Sequence, residues 1–407
     1  MEIRPILSAL LRSKVSMILI GLQVALTLAI VCNALFIIGQ RFERMQRPSG
    51  MNETDTFAVS SVGFGEGFDV RAVQAADLAL LRRLPGVVAA TSINSTPLSG
   101  SGWSSGVQLT AEQKTQSANA AFYMVDDHGL DALGAKLIAG RNFLPTEVGI
   151  RTLDETVAPA SIIISQALAK SLFPGESAVG KQIYIDDPQT TPKATIVGVV
   201  ERLQTPWVND GYADIENSLI QPQMLVIGTA SQYLIRAEPG RRDEVMKAVE
   251  TQLAAANPSR IVGKLRDMEA QRRDAYANDR AMAIILGAVI IALLAITALG
   301  IVGMASFWVA QRTRQIGTRR ALGATRGDIL RYFQTENFII TTLGLILGSI
   351  LAYALSLWMM QAYQSPRLPW HYVPIGFLCL WALGQIAVLG PALRASRVPP
   401  AVATRTL

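Results

Sequence analysis

The sequence predicts an integral membrane protein with four transmembrane α-helices and a large α+β extracytoplasmic domain between the first and second helices. Two observations lead to this fold class. Along the 407 residues, four apolar segments free of Asp, Glu, Lys and Arg each supply the roughly 20 residues that a helix needs to cross about 30 Å of hydrocarbon. Between the first and second of these segments lies a stretch of ordinary soluble composition, residues 41–280. A large domain in this position suggests a protein that couples events on the two faces of a membrane.

The apolar runs divide the chain into membrane-spanning and connecting segments. The predicted order is a cytoplasmic N-terminus (1–14), transmembrane helix 1 (15–40), the extracytoplasmic domain (41–264), a stalk (265–280), transmembrane helix 2 (281–311), a cytoplasmic segment (312–336), transmembrane helix 3 (337–363), an outer loop (364–371), transmembrane helix 4 (372–393) and a cytoplasmic tail (394–407). The first apolar run is longer than the roughly 7–15 residues of a signal-peptide core, so we interpret it as an anchor.

Charge predicts the orientation of these segments. Lys and Arg concentrate in the N-terminal segment, in residues 312–336 and in the tail, and basic residues in short loops mark the cytoplasmic side. Residues 41–280 hold 24 Lys and Arg against 28 Asp and Glu, whereas the rest of the chain holds 13 against 3. The formal net charge of +6 is therefore a topology signal and does not indicate nucleic-acid binding. Arg41, Arg44 and Arg47 fall on the outer side, but long domains translocate largely regardless of charge.

The extracytoplasmic segment has the alternation and turn signals of strand–helix–strand units, which suggest two small α/β subdomains. Predicted strands cover residues 56–62, 87–93, 122–125, 161–164, 182–185, 194–200, 224–227 and 232–235. Predicted helices cover residues 76–84, 130–137, 165–172 and 241–256. The Gly- and Ser-rich residues 99–106 are predicted to form an exposed loop. The polar residues 265–280 contain no helix breaker, so we expect a stalk that continues straight into the second transmembrane helix.

No enzyme site is recognisable, and we expect no catalytic residue, no cofactor and no metal site. The stretch from Gly175 to Gln182 fits the first part of a phosphate-binding loop, but Gln182 replaces the Ser or Thr that would hold magnesium. A turn before a strand is the simpler interpretation. The chain has only two histidines, and Asp126 and Asp127 beside His128 are better explained as a solvated loop than as a cation site.

The basic segment 312–336 predicts a short helix, a tight turn and a second helix that runs into the third span. Gly323 is a natural helix stop, and Thr325 followed by Asp328 is a capping-box signature for the next helix. Anchoring of helix ends at lipid phosphates would explain the arginines, but it does not explain the glycines and apolar residues of so compact a loop. Apolar contacts are expected from Ile316, Leu322, Ile329 and Phe333.

The same segment, RTRQIGTRRALGATRGDILRYFQTE, resembles the cytoplasmic coupling segment of the FtsX/MacB-like family of ABC transporter permeases. The tail PALRASRVPPAVATR resembles the family's ending after its last span, and LFPGESAVGKQI fits a recurring stretch of the MacB-like periplasmic core domain. The order of spans and domain matches as well, so the resemblance covers nearly the whole chain. Gln315 departs from the pattern, because the family often has an acidic residue there.

The resemblance implies a permease subunit that dimerises with itself or with a related permease and sits on a separate cytoplasmic ABC ATPase. It also implies a bacterial inner-membrane location with both termini cytoplasmic and, as a further candidate partner, a periplasmic adaptor. Docking on the ATPase is expected from Ile316, Arg319, Arg320, Leu322, Gly323, Ala324 and Thr325. The small residues Gly344, Gly348 and Ala352 are spaced for close helix packing, either within the chain or at a dimer seam.

The function expected from this sequence is a mechanotransmission permease. In such a complex, ATP hydrolysis by the partner moves the extracytoplasmic domain, which exports or releases a substrate. The spans contain no Asp, Glu, Lys or Arg, so they lack the ionisable groups that mark many ion-coupled pathways. The alternative is a transmembrane signalling or regulatory subunit that controls a cell-wall hydrolase or a sensor partner. Both functions share the same membrane and coupling features, and the sequence does not name the substrate.

Overall fold

The computed structural model describes residues 14–113, 115–152, 159–186, 188, 191–209, 214–363 and 366–399. The helices are α1 (Lys14–Gln46), α2 (Val70–Leu81), α3 (Gly129–Leu133), α4 (Gln166–Leu172), α5 (Arg242–Ala256), α6 (Met268–Ala275), α7 (Ala277–Gln311), α8 (Thr313–Ala321), α9 (Arg326–Tyr363) and α10 (Tyr372–Ser396). The strands are β1 (Thr56–Gly63), β2 (Val87–Ser92), β3 (Trp103–Gln108), β4 (Ala118–Val125), β5 (Leu137–Gly140), β6 (Gly149–Arg151), β7 (Ser161–Ser165), β8 (Gln182–Ile185), β9 (Ala194–Val200), β10 (Ser218–Leu225), β11 (Ala230–Ala237), β12 (Arg260–Val262) and β13 (Arg266–Asp267). These elements form two compact units, Gln46–Asn278 and the chain on either side of it.

The predicted fold class is confirmed. By length and composition, α1, α7, α9 and α10 are four helices that can cross a membrane, and the mixed α and β segment lies between the first two of them. Each of the four helices is longer than its apolar run, because charged residues next to the run continue the helix. Arg41 near the end of α1 pairs there with Asp279 at the start of α7.

Polar side chains join the membrane helices at several points inside the unit. The Asn33 amide of α1 donates to the carbonyl oxygen of Ala352 in α9 at 3.0 Å. Thr27 and Thr297 share a hydrogen bond of 2.8 Å between α1 and α7. Such bonds between helices each contribute about 0.6–2 kcal/mol in a bilayer, so they help to orient these largely apolar helices.

The first sheet of the extracytoplasmic domain has the strand order β12-β1-β11-β2, with β13 also paired to β1. Successive residues of a strand point to opposite faces, and one face of this sheet packs against α2 and α5. A buried polar group lies beneath these helices, where Arg260 pairs with Asp77 and the hydroxyl of Tyr233 donates to Asp77 at 2.7 Å. Burial is the main cause that raises the pKa of Tyr233, and the neighbouring Asp77 carboxylate raises it further. The phenol therefore stays protonated and remains a hydrogen-bond donor.

The second sheet has the order β4-β3-β8-β9-β7-β10-β6, and β10 also pairs with β4, so the path returns to its first strand. Helix α4 and the strand interiors enclose one apolar core. A second core joins the two sheets, because Ala58 and Leu234 of the first pack with Tyr123 and Ile220 of the second.

Two sequence expectations within the domain fail. The Gly- and Ser-rich residues 99–106 do not remain a loop, since β3 begins at Trp103 and pairs with β4 and β8. The Gln116 side chain lies against Gly106, where a Cβ would come within 2.0 Å of it. The helix predicted at 130–137 ends at Leu133, because Gly134 adopts a left-handed φ of 66°.

The segment predicted as a straight stalk also differs in the structure. Its first residues form β13, and α6 follows with Asp267 as its N-cap. Tyr276 then interrupts the helix with φ −99° and ψ 15°, and α7 begins at Ala277. Tyr276 is 2% exposed, and its hydroxyl accepts a hydrogen bond of 3.0 Å from Gln204. The break is therefore made by a tertiary contact and not by a helix-breaking residue.

Candidate functional site

The turn between α8 and α9 is built around Gly323. Its φ is +99°, a value that residues with a Cβ rarely adopt. The N–H of Gly323 donates to the carbonyl of Arg320 at 3.2 Å, and the N–H of Ala324 donates to the carbonyl of Arg319 at 3.0 Å. These two bonds make a Schellman motif, which ends α8 and leaves Leu322 at the tip of the turn.

The start of α9 carries the capping box that the sequence predicted. The hydroxyl of Thr325 accepts from the backbone N–H of Asp328 at 3.2 Å. In return, the carboxylate of Asp328 accepts from the backbone N–H of Thr325 at 2.9 Å. Two otherwise unsatisfied donors are paired in this way, so the helix–turn–helix interpretation of residues 312–336 is confirmed.

A small apolar core holds the two helices of the turn together. Ile316, Ile329 and Phe333 are buried there against Ala392 and Ala395 of α10. Ile316 is 4% exposed, so this predicted docking residue supports the turn from inside and does not offer a contact surface.

Leu322, in contrast to Ile316, is 84% exposed. Because its side chain is not buried against other residues of this unit, it gains no hydrophobic stabilisation there. Burial against a partner would be worth about 1.5–3 kcal/mol. Thr325 is exposed beside it and Ala324 is partly so, and together they form the tip of the turn.

An ion pair connects the turn to the membrane helices. The Arg312 guanidinium, which follows α7, lies 2.9 Å from both carboxylate oxygens of Glu336 in α9. The carboxylate is 1% exposed, and breaking a buried pair by removing one partner is costly. Arg319 lies with its guanidinium 4.8 Å above the ring of Tyr332. Arg320 donates to the carbonyl of Ala324 at 3.4 Å. The turn and the end of α7 therefore form one packed assembly with α9.

Segments of both units match known protein families. Residues 287–400, which include the turn and three membrane helices, match the FtsX-like permease C-terminal family. Residues 23–252, which are more than half of the chain, match the MacB-like periplasmic core domain family. The chain belongs to the FtsX/MacB-like family of ABC transporter permeases. Its four candidate spanning helices and its MacB-type domain fit a multi-pass inner-membrane protein.

The chain is also similar to individual proteins. The macrolide export ATP-binding/permease protein MacB of Pasteurella multocida is 24% identical over 370 residues, which cover 87% of this chain and 52% of the relative. The uncharacterized ABC transporter permease YknZ of Bacillus subtilis is 24% identical over 318 residues, with 73% and 72% covered. The periplasmic region of MacB from Actinobacillus actinomycetemcomitans matches 57% of this chain and 97% of its own, at 17% identity and a TM-score of 0.33. The chain spans about half or less of the length of the MacB relatives.

The predicted small-residue stripe of this permease lies against α1 of the same chain. A Cβ on Gly344 would lie 2.6 Å from the carbonyl oxygen of Gly21, and one on Gly348 would lie 2.8 Å from that of Ala25. Ala352 is fully buried. Gly344 and Gly348 therefore pack closely against α1 within the chain, and a dimer seam at this stripe stays a prediction.

The sequence offered two weaker candidate sites, the phosphate-loop-like stretch and the residues around Asp126, and a central residue of each makes contacts within the domain. Lys181, in the stretch that resembles a phosphate loop, pairs with Glu176, and its ammonium lies 4.4 Å from the ring centre of Phe173. Asp126 is buried, pairs with Arg82 and accepts from the hydroxyl of Thr91 at 2.9 Å. These groups already satisfy each other within the domain.

Sequence reasoning missed two features of the turn. It did not pair Arg312 with Glu336, although the two residues are the charged ends of the predicted segment. It also did not foresee that α10 supplies Ala392 and Ala395 to the core of the turn. The charge at both ends of one segment was a usable signal for the first feature. The second depends on how distant helices pack, for which no local pattern exists.

Proposed function

We propose that this chain is the permease subunit of an ABC-type mechanotransmission complex and that the α8–α9 turn docks in a groove of the cytoplasmic ATPase. The observation that carries the proposal is Leu322, an apolar side chain exposed at the tip of a turn that is capped on both sides. Arg319 and Arg320 precede Leu322 at the end of α8 and would face acidic groups of the ATPase. Such pairs add specificity and speed of encounter more than raw affinity.

The structure supports a mechanical route from the turn to the membrane. Movement of the docked tip would be passed to α9 through the Ile316–Ile329–Phe333 core and to the end of α7 through the Arg312–Glu336 pair. Packed elements with two discrete arrangements can carry such coupling. In this proposal α1 and α7, which flank the extracytoplasmic domain in the chain, then move that domain and drive export or release of a substrate.

The assembly completes the proposal. The turn and both termini would be cytoplasmic and the domain Gln46–Asn278 extracytoplasmic, as the charge distribution indicates. Two permease chains, identical or related, would bind two ATPase chains, and a periplasmic adaptor would join an export complex. The chain itself would be non-catalytic, with ATP hydrolysed by the partner. The matched MacB relatives are named as macrolide exporters, so a bulky organic molecule is a reasonable first substrate to test.

Substitution of Leu322 tests the docking surface. We expect Leu322→Asp to insert and fold normally, because the side chain is exposed, but to lose copurification with the ATPase and permease-stimulated ATP hydrolysis. Leu322→Met is the matched control, since it keeps a flexible apolar side chain and should retain most of both signals. If Leu322→Asp binds and stimulates the ATPase as well as Leu322→Met does, the docking proposal is wrong and lipid anchoring explains the basic turn.

A further inference from the structure

A cleft lined by aromatic side chains lies beside β3 and β4 of the second sheet. Trp103 of β3 and Phe122 of β4 are direct partners in the strand register, so their side chains lie on the same face. Their rings meet edge to face with centroids 5.7 Å apart. Together with Trp207 they line this aromatic cleft, whose volume of about 590 Å³ falls within the roughly 300–1,000 Å³ typical of small-molecule sites.

Arg151 supplies a cation to the aromatic cleft. It is the last residue of β6, and its backbone carbonyl accepts from the N–H of Val226 at 2.9 Å. Its guanidinium carbon lies 5.8 Å from the ring centroids of both Trp103 and Phe122, within the range of cation–π attraction. Burial lowers the pKa of Arg151, and the charge of Asp186 opposes this shift. Because an arginine keeps its charge in proteins, two rings hold a partly desolvated cation here.

Asp186 supplies a carboxylate to the same cleft. Ser105 follows Trp103 by two residues on β3, so the two side chains point to the same face, and the Ser105 hydroxyl donates to the Asp186 carboxylate. The backbone N–H of Asp186 donates to the carbonyl of Gly106 at 3.0 Å. Asp186 has a left-handed φ of 67°, which Asp and Asn adopt more readily than most residues. The carboxylate is therefore held on the face that carries the two rings.

The two opposite charges of the cleft are not paired with each other. Within the part of the chain that the structure describes, neither Arg151 nor Asp186 forms an ion pair. Asp186 is exposed and Arg151 is half-buried, so a molecule in the cleft can reach both.

Each charged group has hydrogen-bonding capacity left for a ligand. The planar guanidinium of Arg151 can donate two parallel bonds to a carboxylate. The Asp186 carboxylate has about four lone-pair sites, of which the Ser105 hydroxyl takes one, so it can accept from an ammonium as well. A cation and an anion that are held apart beside aromatic rings match a molecule that carries both charges and a ring.

We propose that the aromatic cleft binds an aromatic zwitterion of about the size of a dipeptide. Its carboxylate contacts Arg151, its ammonium contacts Asp186, and its ring packs against Trp103 and Trp207. A simple anion would meet the repulsion of Asp186, and a neutral aromatic molecule would leave both charges without a partner. Binding at the cleft needs no ATPase, so this inference goes beyond the docking proposal and stands or falls separately from it.

Calorimetric titration tests the ligand class. The full-length protein in lipid nanodiscs is titrated with L-phenylalanyl-L-alanine, and empty nanodiscs provide the blank. We expect saturable binding with one site per chain. The N-acetyl derivative lacks the ammonium, the C-terminal amide lacks the carboxylate and L-alanyl-L-alanine lacks the ring, so each should bind about tenfold more weakly. The absence of saturable heat at millimolar dipeptide, or equal binding of all four compounds, overturns the proposal.

Substitution of Asp186 tests the ammonium contact. Asp186→Asn keeps an acceptor for the Ser105 hydroxyl and a residue type that tolerates the left-handed backbone, so the unfolding temperature should not change. The variant should bind L-phenylalanyl-L-alanine about tenfold more weakly and should no longer distinguish it from the N-acetyl derivative, because the two changes remove the same contact. If Asp186→Asn prefers the free ammonium as strongly as the unchanged protein does, the proposal is refuted.

Substitution of Arg151 tests the carboxylate contact. Arg151→Gln should bind L-phenylalanyl-L-alanine about tenfold more weakly and should lose the preference for the dipeptide over its amide. The lost preference separates this contact from a general effect of removing the guanidinium from the two rings. Arg71→Gln, with the same charge change at an exposed position of α2, is the control and should bind normally. Equal effects of Arg151→Gln and Arg71→Gln, or an unchanged preference for the carboxylate in Arg151→Gln, would show that the dipeptide binds elsewhere.

Discussion

At the scale of single residues, Gly323 shows how one backbone angle creates a surface. Its left-handed conformation closes the Schellman motif that ends α8, and only then does Leu322 point away from the protein. The sequence indicated a helix stop here from the glycine alone. The opposite exposure of Ile316 and Leu322, six positions apart, follows from the packing of α10 on the turn.

Replacement of glycine in this turn tests the role of its angle. We expect Gly323→Ala to destabilise the turn by about 1 kcal/mol, which would speed amide hydrogen exchange in α8 and lower ATPase stimulation. Gly327→Ala is the matched control, since Gly327 lies inside α9 and a Cβ there would meet only Thr325 at 3.7 Å. That change should leave exchange in α8 unaltered or slower. Equal effects of the two changes would contradict the assigned role of the positive φ.

At the scale of elements, α9 is the connecting piece of the membrane unit. Its first residues belong to the α8–α9 turn, its middle packs on α1 through Gly344 and Gly348, and its polar side chains and carbonyl groups form hydrogen bonds with α1 and α10. The amide of Asn337, for example, donates to the carbonyl of Gly384 at 2.9 Å. Helices joined this closely would move together, as the proposed transmission from the turn requires.

Enlargement of a glycine at this helix crossing tests the packing. Gly348→Leu should separate α9 from α1, because even a Cβ would approach the Ala25 backbone to 2.8 Å, and overpacking typically costs about 1–3 kcal/mol. We expect a lower unfolding temperature of the detergent-purified protein. Gly303→Leu in α7 is the control, since a Cβ there meets nothing within 4 Å. If only the oligomeric state changed in Gly348→Leu, the stripe would be a dimer seam instead.

At the scale of the whole molecule, orientation in the membrane decides which face each site serves. The basic short segments and the acidic domain predict that the turn is cytoplasmic and that the domain Gln46–Asn278 is extracytoplasmic. The proposed ATPase contact and this domain would then lie on opposite sides of the membrane. This separation is the condition under which ATP hydrolysis could act on a substrate outside the cytoplasm.

Cysteine labelling tests this orientation in intact cells. In a background with Cys32 and Cys379 replaced, Gly327→Cys should react with a membrane-impermeant maleimide only after the cells are lysed. Glu66→Cys, at an exposed position of the domain, should be labelled once the outer face of the inner membrane is accessible. Labelling of Gly327→Cys without lysis would show that the turn lies outside the cytoplasm, where it could not contact a cytoplasmic ATPase.

The sequence by itself determined the features that depend on local composition. Four apolar runs long enough to span a bilayer can only be helices there, because lipid leaves no other partner for backbone polar groups. The turn at Gly323 and the cap at Thr325 were likewise readable, since both arise from interactions within a few residues. Seven strands, β1, β2, β4, β7, β8, β9 and β11, were readable in whole or in part, whereas β10 overlaps its predicted segment only at Met224 and Leu225. The strands β3, β5, β6, β12 and β13 were missed. The small residues of β3, for example, gain their strand conformation by pairing with β4 and β8.

Only the tertiary structure decided the features made by contacts between distant segments. These are the break at Tyr276, the packing of Gly344 and Gly348 against α1 and the Arg312–Glu336 pair. Each joins residues whose local sequence is compatible with other arrangements. The free energy that selects one arrangement comes from burial and pairing across the fold, and no periodic pattern in the chain records it.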